Sequence, residues 1–195
     1  SAHGYLLSEF LSPDINTRSD AWGGSLENRA RIHLEIIKRC RAEVGADFPI
    51  SVKLNSADFQ KGGFTANESI QVAKMLEDAS VDIIEISGGS YEQPKQIGAD
   101  DLSINPDRSE ERKESTIARE AYFLEYANNI RKAVSLPLMV TGGFRTRDGI
   151  ERALQSNICQ MVGVGRPLCA DPYCIQKMMA GNLDTLPSFE KTLSL

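Results

Sequence analysis

Apolar residues recur along this chain in two alternating patterns, at helical spacing and as short continuous runs. Helical spacing covers residues 25–45 and 65–79, and each of these segments begins with a Ser or Thr suited to cap a helix. Short segments rich in Ile, Val and Leu, residues 50–55 and 82–87, are predicted to be strands. The first half of the chain is therefore predicted to alternate helix, strand, helix and strand.

The second half of the chain continues the alternation. A third helix is predicted for residues 117–134, and two apolar runs, 136–140 and 161–164, follow it with one short helix between them. Both runs are expected to be buried strands, and glycines follow the end of each. A last helix, residues 173–180, is expected to be capped by Asp171-Pro172.

Two long segments have no apolar period. Residues 1–24 are rich in Pro, Asn, Asp and Gly and are not expected to hold more than a turn or two of regular structure. Because long loops inside compact domains are usually functional, this segment is predicted to be an active-site loop. Residues 90–116 form a charged loop after a strand, and their charge run 108–114 is most simply a solvated face.

Strands that alternate with helices predict a parallel sheet with right-handed crossovers. No G-x-G-x-x-G follows any strand, which disfavours a Rossmann dinucleotide fold. A (β/α)8 barrel has eight strands and typically ~250 residues, and about half of that pattern is present here. We therefore predict one α/β domain over residues 1–195 that forms about half of a (β/α)8 TIM barrel.

Composition changes this picture little. The chain is 41% hydrophobic and 25% charged with a net charge of -5, values typical of an ordinary soluble domain. Mild acidity and the lack of a run of about 20 apolar residues argue against nucleic-acid and membrane partners, so a cytoplasmic setting is expected. Cys40 is expected in the core, and no metal site or disulfide framework is predicted. That last expectation rests on the spacing of Cys40, Cys159, Cys169 and Cys174.

Residues 137–166 are the most suggestive part of the chain. They form a strand–helix–strand unit in which glycines at both strand ends would leave backbone N–H groups for a phosphate, with Arg166 as a further donor. In (β/α)8 barrels, a phosphate commonly binds the loops after strands 7 and 8. The alternative is that Gly142, Gly143 and Gly165 only make tight turns.

A series of short motifs extends over nearly the whole chain. They are His3-Gly4-Tyr5-Leu6-Leu7, Phe10-Leu11-Ser12-Pro13, Asn16-Thr17-Arg18, Gly23-Gly24-Ser25, Glu27-Asn28-Arg29, Val52-Lys53-Leu54-Asn55, Thr141-Gly142-Gly143-Phe144 and Gly163-Val164-Gly165-Arg166. Together they closely resemble the old yellow enzyme family of FMN-dependent NAD(P)H:flavin oxidoreductases. The first motifs are the most specific.

The resemblance implies that the chain is the C-terminal half of the family's TIM barrel, about strands 5–8 with their helices plus the loop after strand 4. The first of two paired substrate-binding side chains would stand one position before Ser1. Since the chain opens on Ser1 rather than Met, we expect a piece of a longer protein. The expected partner is an N-terminal half-barrel or a further copy of the chain in a homo-oligomer, because open strand edges invite pairing.

The resemblance also implies roles for single residues. Tyr5 would be the catalytic proton donor, and His3 would donate a hydrogen bond to the substrate carbonyl. Lys53 would stand beside the flavin N1 and C2 carbonyl. The structural alternatives are a Tyr5 packed on the barrel rim and a Lys53 that extends to solvent. The FMN phosphate would be held by Gly142, Gly143, Gly163, Gly165 and Arg166.

The activity implied by the resemblance is reduction of an activated C=C bond in a small α,β-unsaturated carbonyl compound, with FMN as cofactor and NADH or NADPH as reductant. Two alternatives stand beside it. The chain could be a non-catalytic half-barrel fragment or self-assembling structural domain. It could also belong to a related flavoenzyme that acts on dienoyl thioesters or amines.

Overall fold

The computed structural model describes residues 1–87 and 124–187 of the chain. Its elements in chain order are α1 (Leu6–Leu11), α2 (Leu26–Val44), β1 (Ser51–Asn55), α3 (Ala66–Asp78), β2 (Ile83–Ser87), α4 (the helical residues 124–131), β3 (Leu138–Thr141), α5 (Arg147–Gln155), β4 (Met161–Gly163), α6 (Arg166–Ala170) and α7 (Cys174–Met179). The predicted charged loop 90–116, its charge run 108–114 and the predicted start of the third helix lie outside the described residues.

The four strands form a single sheet in the order β1-β2-β3-β4, and every neighbouring pair is parallel. A helix lies between each strand and the next along the chain. The predicted α/β class with a parallel sheet is therefore confirmed. This strand order, which follows the chain, is the one found along a (β/α)8 barrel.

One face of the sheet packs against helices. Five side chains at matching register positions on β1, β2 and β3 are fully buried there, and they belong to the same apolar cluster as residues of α2, α3 and α4. These five are Leu54, Ile84, Ile86, Leu138 and Val140. Burying each such side chain is worth roughly 1.5–3 kcal/mol, so this face supplies the core.

The opposite face carries a different row of side chains, which we call the inner row: Lys53, Glu85, Met139 and Met161. The strand register pairs these residues in sequence across the sheet. Successive residues of a strand point to opposite faces, so the inner row points away from the helix-packed face. In a closed barrel this face would be the interior.

The burial predicted for β4 is wrong. The strand has only three residues, and Met161 is 49% exposed. The physical reason is that β4 is an outermost strand of the sheet and has a single neighbour, β3. An apolar run of this length looks the same in a sequence whether the strand is central or at an edge.

The predicted starts of α2 and α3 are confirmed. The Ser25 hydroxyl accepts the N–H of Asn28 at 3.4 Å and caps α2. Thr65 and Glu68 form the expected capping box at α3, with the Glu68 N–H donated to Thr65 Oγ1 at 3.2 Å and the Thr65 N–H donated to Glu68 Oε2 at 2.9 Å. These contacts are local, so the sequence was sufficient to locate them.

The last part of the chain differs from the prediction. Helix α6, with Pro167 in its first turn, was not predicted. Helix α7 begins at Cys174 with Tyr173 as its N-cap, so Asp171 is not the cap; its carboxylate accepts the Tyr173 N–H at 2.9 Å and pairs with Lys177 at 2.6 Å. The opening loop also contains α1, a helix of six residues, which is within the turn or two allowed for it.

The expectation that Cys40 lies in the core is wrong. Cys40 is exposed, whereas Cys159 and Cys174 are buried, and burial raises the pKa of the Cys159 thiol. The neighbouring Ile36 and Val44 of α2 are also about 40% exposed. The last turns of α2 thus lie beyond the core that its first half contacts.

Among the described helices, none is long and apolar enough to cross a membrane.

His33 is an ionisable group on the buried side of α2. It is 3% exposed, and its Nε2 lies 2.6 Å from the Ser1 hydroxyl oxygen. Its Nδ1 has no hydrogen-bond partner among the residues that the structure describes. Burial lowers the pKa of His33 to about 4.

This pKa predicts a loss of stability in mild acid. The pKa of His33 is about 4 in the folded protein and 6.5 in an unfolded chain, so the unfolded state takes up a proton first. The His33 contribution is complete above pH 6.5 and is lost as the pH falls towards 4, which amounts to ~3 kcal/mol of unfolding free energy. Urea denaturation at pH 7 and pH 4.5 should show the loss. His33→Leu should remove that part of the pH dependence, and an unchanged pH dependence in this variant would refute the assignment.

Candidate active site

His3 is held at the carboxyl ends of two neighbouring strands. Its backbone N–H donates to Asn55 Oδ1 at 3.1 Å, and its ring Nε2 is hydrogen-bonded to Ser87 Oγ at 2.8 Å. Asn55 and Ser87 are the last residues of β1 and β2. The backbone of His3 is in the left-handed region, with φ at 63°. This strained conformation is uncommon outside glycine and marks a position that its surroundings impose.

Asn55 is itself oriented by a buried carboxylate. Its side-chain amide donates to Asp58 Oδ1 at 3.1 Å, and the other oxygen of Asp58 accepts the Phe64 N–H at 2.8 Å. Both Asn55 and Asp58 are almost fully buried. Sequence reasoning missed Asn55, Asp58 and Ser87 as site residues. The available signal was a set of polar residues placed directly after apolar strand residues.

Tyr5 stands at the start of α1, two residues after His3. Its carbonyl accepts hydrogen bonds from the Ser8 hydroxyl at 2.8 Å and the Glu9 N–H at 3.0 Å, so its backbone is fixed. The residue is 61% exposed, which argues against the alternative that Tyr5 is packed on the barrel rim. The phenol is thus accessible to a ligand on the edge of the sheet that holds His3.

Arg29 ties the active-site loop to the rest of the fold. It is buried in α2, and its guanidinium donates to the carbonyls of Leu11 and, at 3.1 Å, Gly24. It also makes a salt bridge of 2.5 Å with Glu68. Burial alone would raise the pKa of Glu68, but hydrogen bonds from Arg29 and Thr65 outweigh it and hold that pKa below its usual value. One side chain thus connects α1, the loop and α3.

Lys53 has a partner on the neighbouring strand. Its Nζ lies 2.5 Å from Glu85 Oε1, and the two residues are direct register partners of β1 and β2. The Lys53 side chain is 33% exposed and the Glu85 side chain 16%. Sequence reasoning did not identify Glu85 as the partner of Lys53.

The glycines after β3 and β4 meet side by side, because Thr141 pairs with Gly163. Gly142 and Gly143 have φ values of 121° and 83°, which side chains rarely allow. A Cβ on Gly163 would stand 1.9 Å from Thr141 Oγ1. Turn geometry and close packing therefore account for three glycines. Gly165 differs, since a Cβ there would meet no atom of the described residues within 4 Å.

Gly165 leaves open space in which a group such as the phosphate of FMN would have room. The half-buried Arg166 follows directly at the start of α6, and guanidinium groups bind phosphate through paired N–H donors. Thr141 Oγ1 is buried and has no hydrogen-bond partner in the described part of the chain. The open space over Gly165 and the cationic donor next to it together suit an anionic, multiply accepting group, whereas Thr141 Oγ1 lies against Gly163.

The predicted site residues thus fall into two groups on one edge of the sheet. His3 and Tyr5 lie at the carboxyl ends of β1 and β2, and the glycines with Arg166 lie at the carboxyl ends of β3 and β4. Lys53 is on the inner face, two positions before the end of β1. Active sites of (β/α)8 barrels occupy this edge.

Known proteins of similar sequence include an NADH oxidase and an NADH-dependent flavin oxidoreductase. The chain is 37% identical to an NADH oxidase of Thermoanaerobacter brockii over 92% of its own length and 25% of that protein. It is 38% identical to the NADH-dependent flavin oxidoreductase iliE of Hypocrea jecorina, over 92% of the chain and 43% of that protein. The chain therefore spans a quarter of the length of the first relative and less than half of the length of the second.

Solved structures agree with the fold. A 2-naphthoyl-CoA reductase in complex with 2-naphthoyl-CoA matches 93% of the chain and 26% of its own, with a TM-score of 0.77 and 35% identity. An old yellow enzyme homologue from Zymomonas mobilis matches 97% of the chain and 47% of its own, with a TM-score of 0.68. At 23% identity, the second match speaks for the fold alone. Both support a portion of a TIM barrel, as predicted.

The model of one protein family covers residues 1–184 of the chain. Members of that family use FMN and NADH, which agrees with the donor set found at the strand ends. The chain belongs to the NADH:flavin oxidoreductase / NADH oxidase family.

Proposed function

We propose that the protein containing this chain reduces the activated C=C bond of an α,β-unsaturated carbonyl compound, with FMN as cofactor and NADH or NADPH as reductant. The observation that carries the proposal is the position of His3 and Tyr5 at the strand ends, on the same edge as the glycines and Arg166. When bound, FMN would supply the redox chemistry that carries two electrons from the nicotinamide to the alkene.

The chain itself contributes acid chemistry and charge stabilisation. His3 donates a hydrogen bond to the carbonyl oxygen of the substrate, where negative charge develops as the double bond is reduced. Tyr5 delivers the proton that the α-carbon requires, from a phenol that stands exposed two residues along. The contacts of His3 with Asn55 and Ser87 fix the position from which it acts.

The chain also holds the cofactor at two points. Arg166 and the backbone N–H groups of Gly142, Gly143 and Gly165 hold the FMN phosphate, and Lys53 faces the flavin ring from the inner row. A direct test is titration of the chain with FMN and with riboflavin, which lacks the phosphate, followed by flavin fluorescence.

Arg166→Ala should weaken FMN binding by about 10- to 150-fold, because a hydrogen bond to a charged group contributes ~1.5–3 kcal/mol. Riboflavin binding should not change, since the lost contact is to phosphate. Arg152→Ala is the matched control, because Arg152 is an exposed arginine on α5 that pairs with Asp148. Equal losses for FMN and riboflavin would contradict a phosphate role for Arg166.

We further propose that a second half-barrel completes the site, either an N-terminal half or another copy of this chain. The proposal rests on β1 and β4, which are the outermost strands of the sheet formed by the described residues. Parallel strands with open edges pair readily with another chain. Light scattering of the chain should therefore give twice its mass or more, unless an N-terminal half is present. A monodisperse monomer that binds FMN would contradict this proposal.

A thioester substrate is the second candidate. It is favoured by the 35% identity to a structure of 2-naphthoyl-CoA reductase. Initial rates of NADH oxidation with a cyclic enone and with an unsaturated CoA thioester separate the two candidates. A rate that rises only with the thioester would replace the enone proposal.

A further inference from the structure

Glu85 is an acidic residue for which neither the fold nor the proposed reaction requires a carboxylate. It lies in the middle of β2, in the inner row, where Met139 is the corresponding residue on the next strand. Its side chain is 16% exposed and makes a 2.5 Å salt bridge with Lys53. A carboxylate at such a position is costly unless it has a partner, so its charge and that of Lys53 must be considered together.

The pairing changes what Lys53 can offer to a ligand. Transfer of a hydride from NADH to FMN releases NAD⁺ and adds one negative charge to the flavin ring. An unpaired ammonium beside the ring would favour the reduced state strongly, because Coulomb interactions in a partly buried site are weakly screened. A carboxylate 2.5 Å from that ammonium opposes the effect, since the ring then meets a pair of nearly zero net charge.

We propose that Glu85 sets the reduction potential of the bound FMN by partly neutralising Lys53. The inference rests on the proposed function, because it takes Lys53 to face the flavin ring. Glu85 is then a tuning residue that acts through Lys53. It keeps the potential lower than Lys53 alone would, which makes the reduced cofactor a stronger donor to the substrate.

The test is the midpoint potential of the flavin-loaded protein, measured by dye equilibration. Glu85→Gln keeps the shape of the side chain and removes its charge. We expect this variant to bind reduced FMN about tenfold more tightly relative to oxidised FMN, which corresponds to a rise in potential of about 30 mV for a two-electron couple. Lys53→Met should shift the potential in the opposite direction.

Three further variants make the result specific. Glu43→Gln removes an exposed carboxylate from α2 and should leave the potential unchanged. In the Lys53→Met background, Glu85→Gln should have a clearly smaller effect than in the wild type if Glu85 acts through Lys53. Glu85→Asp retains the charge on a shorter side chain, so it should shift the potential less than Glu85→Gln. It also serves as the second variant if Glu85→Gln does not fold.

The outcomes separate the two levels of the proposal. A wild-type protein that binds no FMN overturns the proposed function and this inference with it. A protein that binds FMN but has the same potential in Glu85→Gln and Glu43→Gln overturns the inference alone. Additive effects of Glu85→Gln and Lys53→Met would show that Glu85 does not act through Lys53, which also contradicts the proposal.

Discussion

Replacing Tyr5 with Phe should slow the reduction of the alkene substrate by about 10²–10⁴-fold, the range by which a positioned general acid contributes. The phenylalanine retains the ring and lacks only the hydroxyl that delivers the proton. Reduction of the protein by NADH requires no such proton, so its rate should remain unchanged. Stopped-flow measurement of the two half-reactions, followed at the flavin absorbance band, distinguishes these steps.

Tyr173→Phe is the matched control for this prediction. Tyr173 is 62% exposed and Tyr5 is 61% exposed, but Tyr173 caps α7, away from the ends of β1 and β2. The control variant should behave as the wild type in both half-reactions. If Tyr5→Phe reduces its substrate within about twofold of the wild-type rate, another group or water supplies the proton and the role proposed for Tyr5 is wrong.

Removing the His3 side chain should lower kcat by about 10²–10³-fold, the loss measured when one donor to a developing oxyanion is deleted. The variant to use is His3→Gly, because the backbone of His3 has φ at 63° and glycine adopts this conformation without strain. The backbone N–H that donates to Asn55 is retained. Steady-state kinetics of the flavin-loaded protein at saturating NADH measures the loss.

Two companion variants separate hydrogen-bond donation from anchoring. His3→Asn also tolerates the left-handed backbone and retains a side-chain N–H, so it should keep much of the activity that His3→Gly loses. Ser87→Ala removes the contact with the ring while the imidazole remains, and its loss should be smaller than that of His3→Gly. A normal kcat in His3→Gly with reduced stability would mean that His3 only anchors the loop.

Contacts of Arg29 explain why the loop of residues 1–24 is held in place. Arg29 reaches the carbonyls of Leu11 and Gly24 and the carboxylate of Glu68, which belong to three separate parts of the fold. Together with the contacts of His3, these bonds hold residues 1–24 at both their start and their end. A loop that carries acid chemistry benefits from such fixation, because small displacements of a catalytic group cost large factors in rate.

Features governed by neighbouring residues were predictable from the sequence. The caps of α2 and α3 depend on residues three positions apart, and both were predicted correctly. The alternation of strands and helices follows from apolar spacing and gave the α/β class. The motifs around His3, Lys53 and Gly142 were enough to identify the family, which the match over residues 1–184 confirms.

Features governed by distant residues were not predictable in the same way. Met161 and Cys40 were expected to be buried, but burial depends on which elements cover a position, and neither residue is covered among the described elements. The positive φ of Gly142 reports a turn, whereas the need for glycine at position 163 arises only because Thr141 lies across from it.

The sequence by itself determined the alternation of strands and helices, the family and the residue types at the site. The tertiary structure decided which of these residues meet. Strand register brings Lys53 to Glu85, 32 positions along the chain, and a side-chain hydrogen bond holds His3 against Ser87, 84 positions along. Local spacing encodes periodicity and capping, but the contact between two strands depends on their packing in space. The pairing of Lys53 with Glu85 was therefore decided by the fold.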